Sequence, residues 1–204
     1  MTLPPDTAIH FAWFAWLLSW MVAAGWRKPT LKRPSTLAEA SHLAPTVIGV
    51  GILFSTHAQA DDPSHQLFNK ISAPIAPIQL WATPVAAGWA LVAVAILGFL
   101  FCWWARVHLG QLWSGNVTVK PGHRVVDTGP YRLVRHPIYT GLLLALLATA
   151  LEKATILGFA GLALIVVGIW FKARLEERFL RQELGREAYD SYAARTPMLV
   201  PIRL

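Results

Sequence analysis

The chain has 204 residues, 55% of them hydrophobic and only 14% charged, which is too apolar for an ordinary soluble domain of this length and makes a bilayer its expected solvent. The net charge of +7, from 18 Lys and Arg against 11 Asp and Glu, sits beside the apolar runs, so it reads as membrane topology and not as a nucleic-acid-binding face. The single cysteine, Cys102, lies inside an apolar run as a small packing residue and excludes an intramolecular disulfide.

Apolar runs at residues 9–26, about 43–58, 80–105, 138–151 and 154–171 predict five membrane crossings, two of them short. After the first run come Arg27, Lys28, Lys32 and Arg33, whereas the segment after the second holds Asp61, Asp62 and only Lys70. The positive-inside rule then puts the first of these loops in the cytoplasm and the second outside. Continuing the alternation puts Arg106, Lys120, Arg124, Arg132 and Arg135 inside, Glu152 and Lys153 in a tight outer turn, and Lys172 to Arg203 inside. The expected topology is N-terminus out and C-terminus cytoplasmic. The first run is not read as a secretory signal because its positive charge follows the apolar stretch instead of preceding it. Ala58-Gln59-Ala60 mimics a cleavage site but lies far from the N-terminus. Trp13, Trp16 and Trp20 share one face of the first helix by their spacing, which predicts helix packing or lipid contact.

The loop between the third and fourth runs concentrates the polar chemistry. Short β-branched stretches flank Lys120-Pro121-Gly122 and predict a small hairpin, followed by a turn at Gly129-Pro130. Pro137 predicts the first turn of the fourth helix, where its missing N–H has no partner to lose. Arg135 and His136 therefore stand at a helix entrance that attracts anions. Gly141, one turn further on, leaves room for a ligand or a neighbouring helix. The shortness of this run predicts an entrance recessed into the membrane, in a cavity suited to an amphiphile. The fifth run continues into a charged segment, residues 172–184, before Gly185. There Leu175, Phe179 and Leu184 form an apolar stripe, and Glu177 and Arg181 are spaced as an i,i+4 pair on an interfacial helix. The histidines lack metal-ligand spacing, so no metal site is expected. The fold class is an all-α polytopic membrane protein of about five transmembrane helices, with a small cytoplasmic hairpin segment and a C-terminal interfacial helix. It divides into a membrane region, 1–105, and a functional region, 106–204.

Leu109-Gly110, Trp113-Ser114, Gly129-Pro-Tyr131, Arg135-His-Pro-x-Tyr-x-Gly141, Glu176-Glu177 and Gly185-x-x-x-Tyr189-x-x-Tyr192 together resemble the isoprenylcysteine carboxyl methyltransferase family and its phospholipid-methyltransferase relatives. The order of these motifs, with one helical hairpin between Arg-His-Pro and Glu-Glu, carries the likeness. The resemblance implies S-adenosylmethionine-dependent methyl transfer at a cytoplasmic site between the last two membrane helices. It implies cofactor contacts from His123, Arg124, Val125 and Val126, from Tyr131, from His136, Pro137, Ile138, Tyr139 and Gly141, and from Glu176. The family's substrate-side arginine falls at Lys172, with Arg174 as its neighbour, and a lysine offers a point charge where arginine offers a fork. The acceptor implied is an amphiphilic small molecule or lipidated substrate among membrane lipids, with no nucleic acid involved.

A carboxylate acceptor is ionised at neutral pH, given a reference pKa of about 3.5, and needs alignment and desolvation but no base. Arg135 is the expected anion-steering group. An amine acceptor would instead require a base such as Glu177. The alternatives are a nicotinamide-dependent membrane reductase and a non-catalytic scaffold or transport subunit. Against transport, the spans carry almost no internal charge.

Overall fold

A computed structural model describes residues 3–32, 34–55, 78–122 and 124–202. Within them lie the helices α1 (Pro5–Ala24), α2 (Thr36–Phe54), α3 (Val85–Leu109), α4 (Pro137–Lys153), α5 (Ile156–Leu184) and α6 (Arg186–Arg195). Local sequence sets their ends. Proline opens α1 and α4, where its fixed φ is already helical. Ser35 Oγ accepts from the Ala38 N–H at the head of α2, and Thr155 Oγ1 from the Gly158 N–H at the head of α5. Gly185, at φ 97°, stops α5 in a conformation other residues rarely adopt.

Pro5–Ala24, Val85–Leu112 and Ile156–Leu184 are long and apolar enough to cross a membrane, and the chain is an integral membrane protein. Length alone thus supports three of the five expected crossings. The apolar part of α2 is only Ala38–Phe54, and the 17 residues of α4 make about 25 Å of helix. Even so, the first five helices alternate in direction. Arg106 near the end of α3 reaches the end of α1, Lys32 before α2 reaches Glu183 near the end of α5, and Arg135 before α4 reaches Glu177 of α5. At the opposite end, Lys153 of α4 reaches Ser55 after α2, and Thr83 before α3 reaches Glu152 of α4.

Two helix pairs pack closely, α3 with α4 and α2 with α5, while α4 and α5 touch only sparingly. Small residues explain the close pairs. A Cβ at Gly98 would strike the Gly141 carbonyl, and one at Gly161 would meet Gly49 and Leu53. Gly141 is pressed on Gly98 and Cys102, so the room it leaves is taken on that side by the neighbouring helix α3. The aromatic core lies on α1 and α3, where Trp13 donates its indole N–H to Thr149 Oγ1 at 2.9 Å and meets Phe99 edge-on.

The expected hairpin around Lys120 is not formed, and there is no strand among the described residues. Val119 instead makes an isolated antiparallel bridge to Lys32. The cause is the fully buried Lys120 side chain, whose ammonium donates to the Lys28 carbonyl at 2.9 Å and draws the loop onto the α1–α2 connection. Burial, then the neighbouring charges of Arg27 and Arg106, push the Lys120 ammonium pKa below its ordinary value. The expected Glu177–Arg181 pair is also replaced: Arg181 bonds Asp190 of α6 at 2.6 Å, and Glu177 turns inward. His123, Arg33 and the loop bearing Asp61, Asp62 and Lys70 lie outside the described residues.

Candidate active site

A cavity of about 230 Å³ opens where α4 begins. One side is the loop before α4, contributing Arg124, Val125, Val126 and Tyr131. The helix entrance itself contributes Arg135 to Tyr139. Lys172 and Glu176 come from α5, Tyr189 and Tyr192 from α6, and Trp16 and Trp20 from α1. Glu177, Arg174 and Gly141 do not line it. Arg174 lies outside on the ring of Trp170, 5.4 Å from its centroid.

The two adjacent glutamates of α5 separate by the helical turn between neighbours. Glu176, with its side chain 32% exposed, accepts from the Tyr139 hydroxyl at 2.8 Å and stands 3.8 Å from His136 Nδ1. Glu177 points to the other side of His136, 3.2 Å from its Nε2, and takes the Arg135 Nε–H at 2.7 Å. Arg135 also donates from Nη1 to the carbonyls of Ala193 and Thr196. Its guanidinium is thus engaged by α5 and the C-terminal segment at once. The backbone continues this tie: the N–H groups of Arg135 and His136 bond the carbonyls of Pro197 and Met198, and Thr140 Oγ1 donates to the Leu199 carbonyl. The tail is stitched across the entrance of α4.

His136 and Tyr139 stack at 5.3 Å with ring planes 10° apart. Lys172 donates to the Gly115 carbonyl at 2.8 Å and lies 5.6 Å from the centre of the Tyr139 ring. Tyr131 is held between Tyr192, whose hydroxyl bonds its carbonyl at 2.7 Å, and His108, stacked on its ring. Burial, then the facing Glu176, raise the Tyr131 phenol above its ordinary pKa, so it stays neutral. Ile138 and Tyr139 stand in the first turn of α4, where N–H groups have no carbonyl in a preceding turn.

Residues 91–182 match the model of the isoprenylcysteine carboxyl methyltransferase (ICMT) family. Over that segment the chain is similar to the ICMT family. A methanethiol S-methyltransferase from a Pseudomonas species is 30% identical over 175 residues, covering 83% of this chain and 62% of the relative. Methanethiol S-methyltransferase 2 of Bradyrhizobium diazoefficiens is 36% identical over 137 residues, 61% of this chain and 51% of its own. Protein-S-isoprenylcysteine O-methyltransferase B of Arabidopsis thaliana is 36% identical over 114 residues, 54% of this chain and 57% of its own. The chain therefore spans about half to three fifths of the length of these relatives.

The segment matched by the family model contains the helix entrance, Lys172 and both glutamates, but not α1 or α6. Trp16, Trp20, Tyr189 and Tyr192 thus complete the cavity from outside it. Sequence reasoning missed Trp16 and Trp20 as cavity residues, although their shared helix face was visible. It also missed Arg106, which spacing presents as a cytoplasmic anchor. Arg106 is fully buried, donates to the carbonyls of Ala23, Trp26 and Gly110 at 2.7 to 2.8 Å, and lies 4.5 Å from the centre of the Trp113 ring. A run of tryptophans beside a lone arginine at a helix end is the signal that could have found it.

Proposed function

We propose that this membrane protein is an S-adenosylmethionine-dependent methyltransferase whose acceptor is an anionic nucleophile, carboxylate or thiolate, on an apolar body. The observation that carries the reading is the convergence of Glu176, Tyr139, His136 and Lys172 on one cavity at the N-terminus of α4. The donor set fits the cofactor. Glu176 offers a carboxylate to ribose hydroxyls or an ammonium, the first-turn N–H groups offer donors to a carboxylate, and Tyr131 and Val125 offer an apolar slot to a purine. When bound, the cofactor supplies an electrophilic methyl group on a sulfonium.

The protein's own work is alignment and exclusion of water. A carboxylate acceptor is already ionised at neutral pH and needs no general base, whereas a thiol, with a reference pKa of about 8.5, must first release its proton to solvent, and a facing cation favours the thiolate that results. Lys172 is the cation of α5 that faces the cavity, and in this reading it orients the acceptor anion. Arg135, with its engagement to Glu177, Ala193 and Thr196, is a positioning residue that holds His136 and the C-terminal tail. Glu177 lies outside the cavity, which argues against its serving as a base for an amine. The names of the relatives, methanethiol S-methyltransferase and protein-S-isoprenylcysteine O-methyltransferase, favour the two anion classes equally. Five crossings with the site at the cytoplasmic face complete the proposal, supported by the alternating helices and the basic residues gathered at the cavity end.

Calorimetry on detergent-purified protein tests it. S-adenosylmethionine and its demethylated product should bind, Glu176→Ala should weaken both, and NADPH should not bind. Binding of NADPH in place of the methyl donor overturns the reading.

A further inference from the structure

Three tryptophans contribute to the apolar lining of the cavity. Trp16 and Trp20 of α1 and Trp113 of the loop all line it, and they form one interlocked wall. Trp16 stacks on Trp20 at 5.0 Å, and Trp20 meets the edges of Trp113 at 5.5 Å and Trp103 at 5.6 Å. The wall is braced from behind. Trp103 donates its indole N–H to Ser19 Oγ, Trp16 stacks on Phe99 at 5.3 Å, and Arg106 lies against Trp113 with three carbonyls holding its guanidinium. Side chains fixed this way cannot swing aside without breaking several contacts, so the wall is rigid.

We infer that Trp20, backed by Trp103 and Trp113, limits the apolar length of the methyl acceptor and so determines specificity. This rests on the methyltransferase reading above. Relatives named for different acceptors, methanethiol and isoprenylcysteine, match this chain, and α1 lies outside residues 91–182. Groups serving a shared methyl donor belong in the shared segment; a wall contributed by α1 is free to differ with the acceptor. Trp20 meets its neighbours through ring contacts to Trp16, Trp103 and Trp113. Its role is steric, and steric limits in apolar pockets are read as steep length profiles: one methylene changes kcat/KM by about 10- to 200-fold.

The test uses the full chain in detergent, a radiolabelled methyl donor, and two acceptor series of rising chain length, 1-alkanethiols and N-acetyl-S-alkylcysteines. The parent protein should show a sharp fall in kcat/KM beyond a limiting length in whichever series it accepts. Trp20→Ala should raise the ratio of long-chain to short-chain kcat/KM by at least tenfold, with Trp20→Phe intermediate and methyl-donor Kd within twofold of the parent. Trp89→Ala, at the far end of α3, should leave the profile unchanged. An unaltered profile in Trp20→Ala with donor binding retained overturns the inference, as does a parent profile that rises to the longest chain. Loss of donor binding in both Trp20 variants assigns the residue to folding and equally overturns it. A parent that binds no methyl donor and methylates neither series overturns the methyltransferase reading itself, an outcome distinct from a retained but unshifted profile.

Discussion

The Tyr139 hydroxyl donates to Glu176 at 2.8 Å, joining the first turn of α4 to α5 across a gap that few other contacts bridge. This bond orients the carboxylate that the proposed cofactor site depends on. Removing it by Tyr139→Phe leaves Glu176 free to rotate but still charged, whereas Glu176→Gln removes the charge. A hydrogen bond to a charged group contributes about 1.5–3 kcal/mol. Glu176→Gln should therefore weaken methyl-donor binding by roughly 10- to 150-fold, at 1.4 kcal/mol per tenfold change. Tyr139→Phe should weaken it less. Calorimetric Kd values check the order.

Arg135 and Glu177 form a pair in which each side chain is only 12% exposed. Losing one partner of a buried pair strands the other charge and costs about 3–5 kcal/mol. Arg135→Ala should lower thermal stability sharply in detergent, and it should also release the tail that Arg135 ties through Ala193 and Thr196. The double variant Arg135→Ala with Glu177→Ala should recover part of that loss. A full loss of turnover in Glu177→Gln at unchanged stability and donor affinity would instead mark Glu177 as catalytic.

Arg106 supports a prediction of a different kind, because it has no place in the proposed chemistry. Its guanidinium closes the carbonyl end of α1 at Ala23 and Trp26 and braces Trp113. Arg106→Lys keeps the charge but cannot reach three carbonyls with a planar fork. The variant should melt several degrees below the parent and lose more stability than Lys32→Ala, whose ion pair with Glu183 is largely exposed on the lysine side. Thermal unfolding monitored by tryptophan fluorescence would report both.

How much of this was legible depended on which residues act locally. Pro137, Gly129-Pro130 and Gly185 mark their turns through backbone preferences that need no distant partner, and the structure has a helix start, a tight turn and a helix stop there. Hydropathy located the five helices for the same reason. The expected hairpin failed because β-branched residues near Lys120 suggest a strand only if a partner is free, and Val119 finds Lys32 instead. Charges misled most. Lys120 and Arg106 look alike in sequence to exposed basic anchors, yet both are buried on carbonyls supplied by other segments. Spacing likewise suggested Glu177 with Arg181, where α6 and the α4 entrance supply better partners. The wall of Trp16 and Trp20 was hidden because one helix face reads the same whether it meets another helix, lipid or a cavity.

The alternating helices put Ser55 and Ser191 at opposite ends of the bundle. With N-terminus out, Ser191 should face the cytoplasm and Ser55 the other side. Single cysteines at these positions, in a Cys102→Ala background, should react with an impermeant maleimide from opposite faces of the membrane. Labelling of both from one face would refute the topology.

Lys172 supplies the test that separates the two acceptor classes. It is the α5 cation facing the cavity, and beside its contact with the Tyr139 ring it donates to the Gly115 carbonyl, a neutral group that an anion can outcompete. Lys172→Met keeps most of the side chain's bulk and removes the charge, so the acceptor should lose orientation while the methyl donor still binds. Truncating one partner of a charge pair in a water-poor site costs about 2–5 kcal/mol, which is roughly 30-fold to several thousand-fold in kcat/KM. Lys172→Arg then divides the possibilities by geometry. A guanidinium matches both oxygens of a carboxylate with parallel hydrogen bonds, and it gains nothing comparable on the single sulfur of a thiolate. Methylation of a carboxylate acceptor should therefore be maintained or improved in Lys172→Arg, and methylation of a thiol should fall, because the broader head group displaces the small nucleophile. Unchanged kinetics in Lys172→Met would remove this residue from acceptor binding and return that role to Arg135.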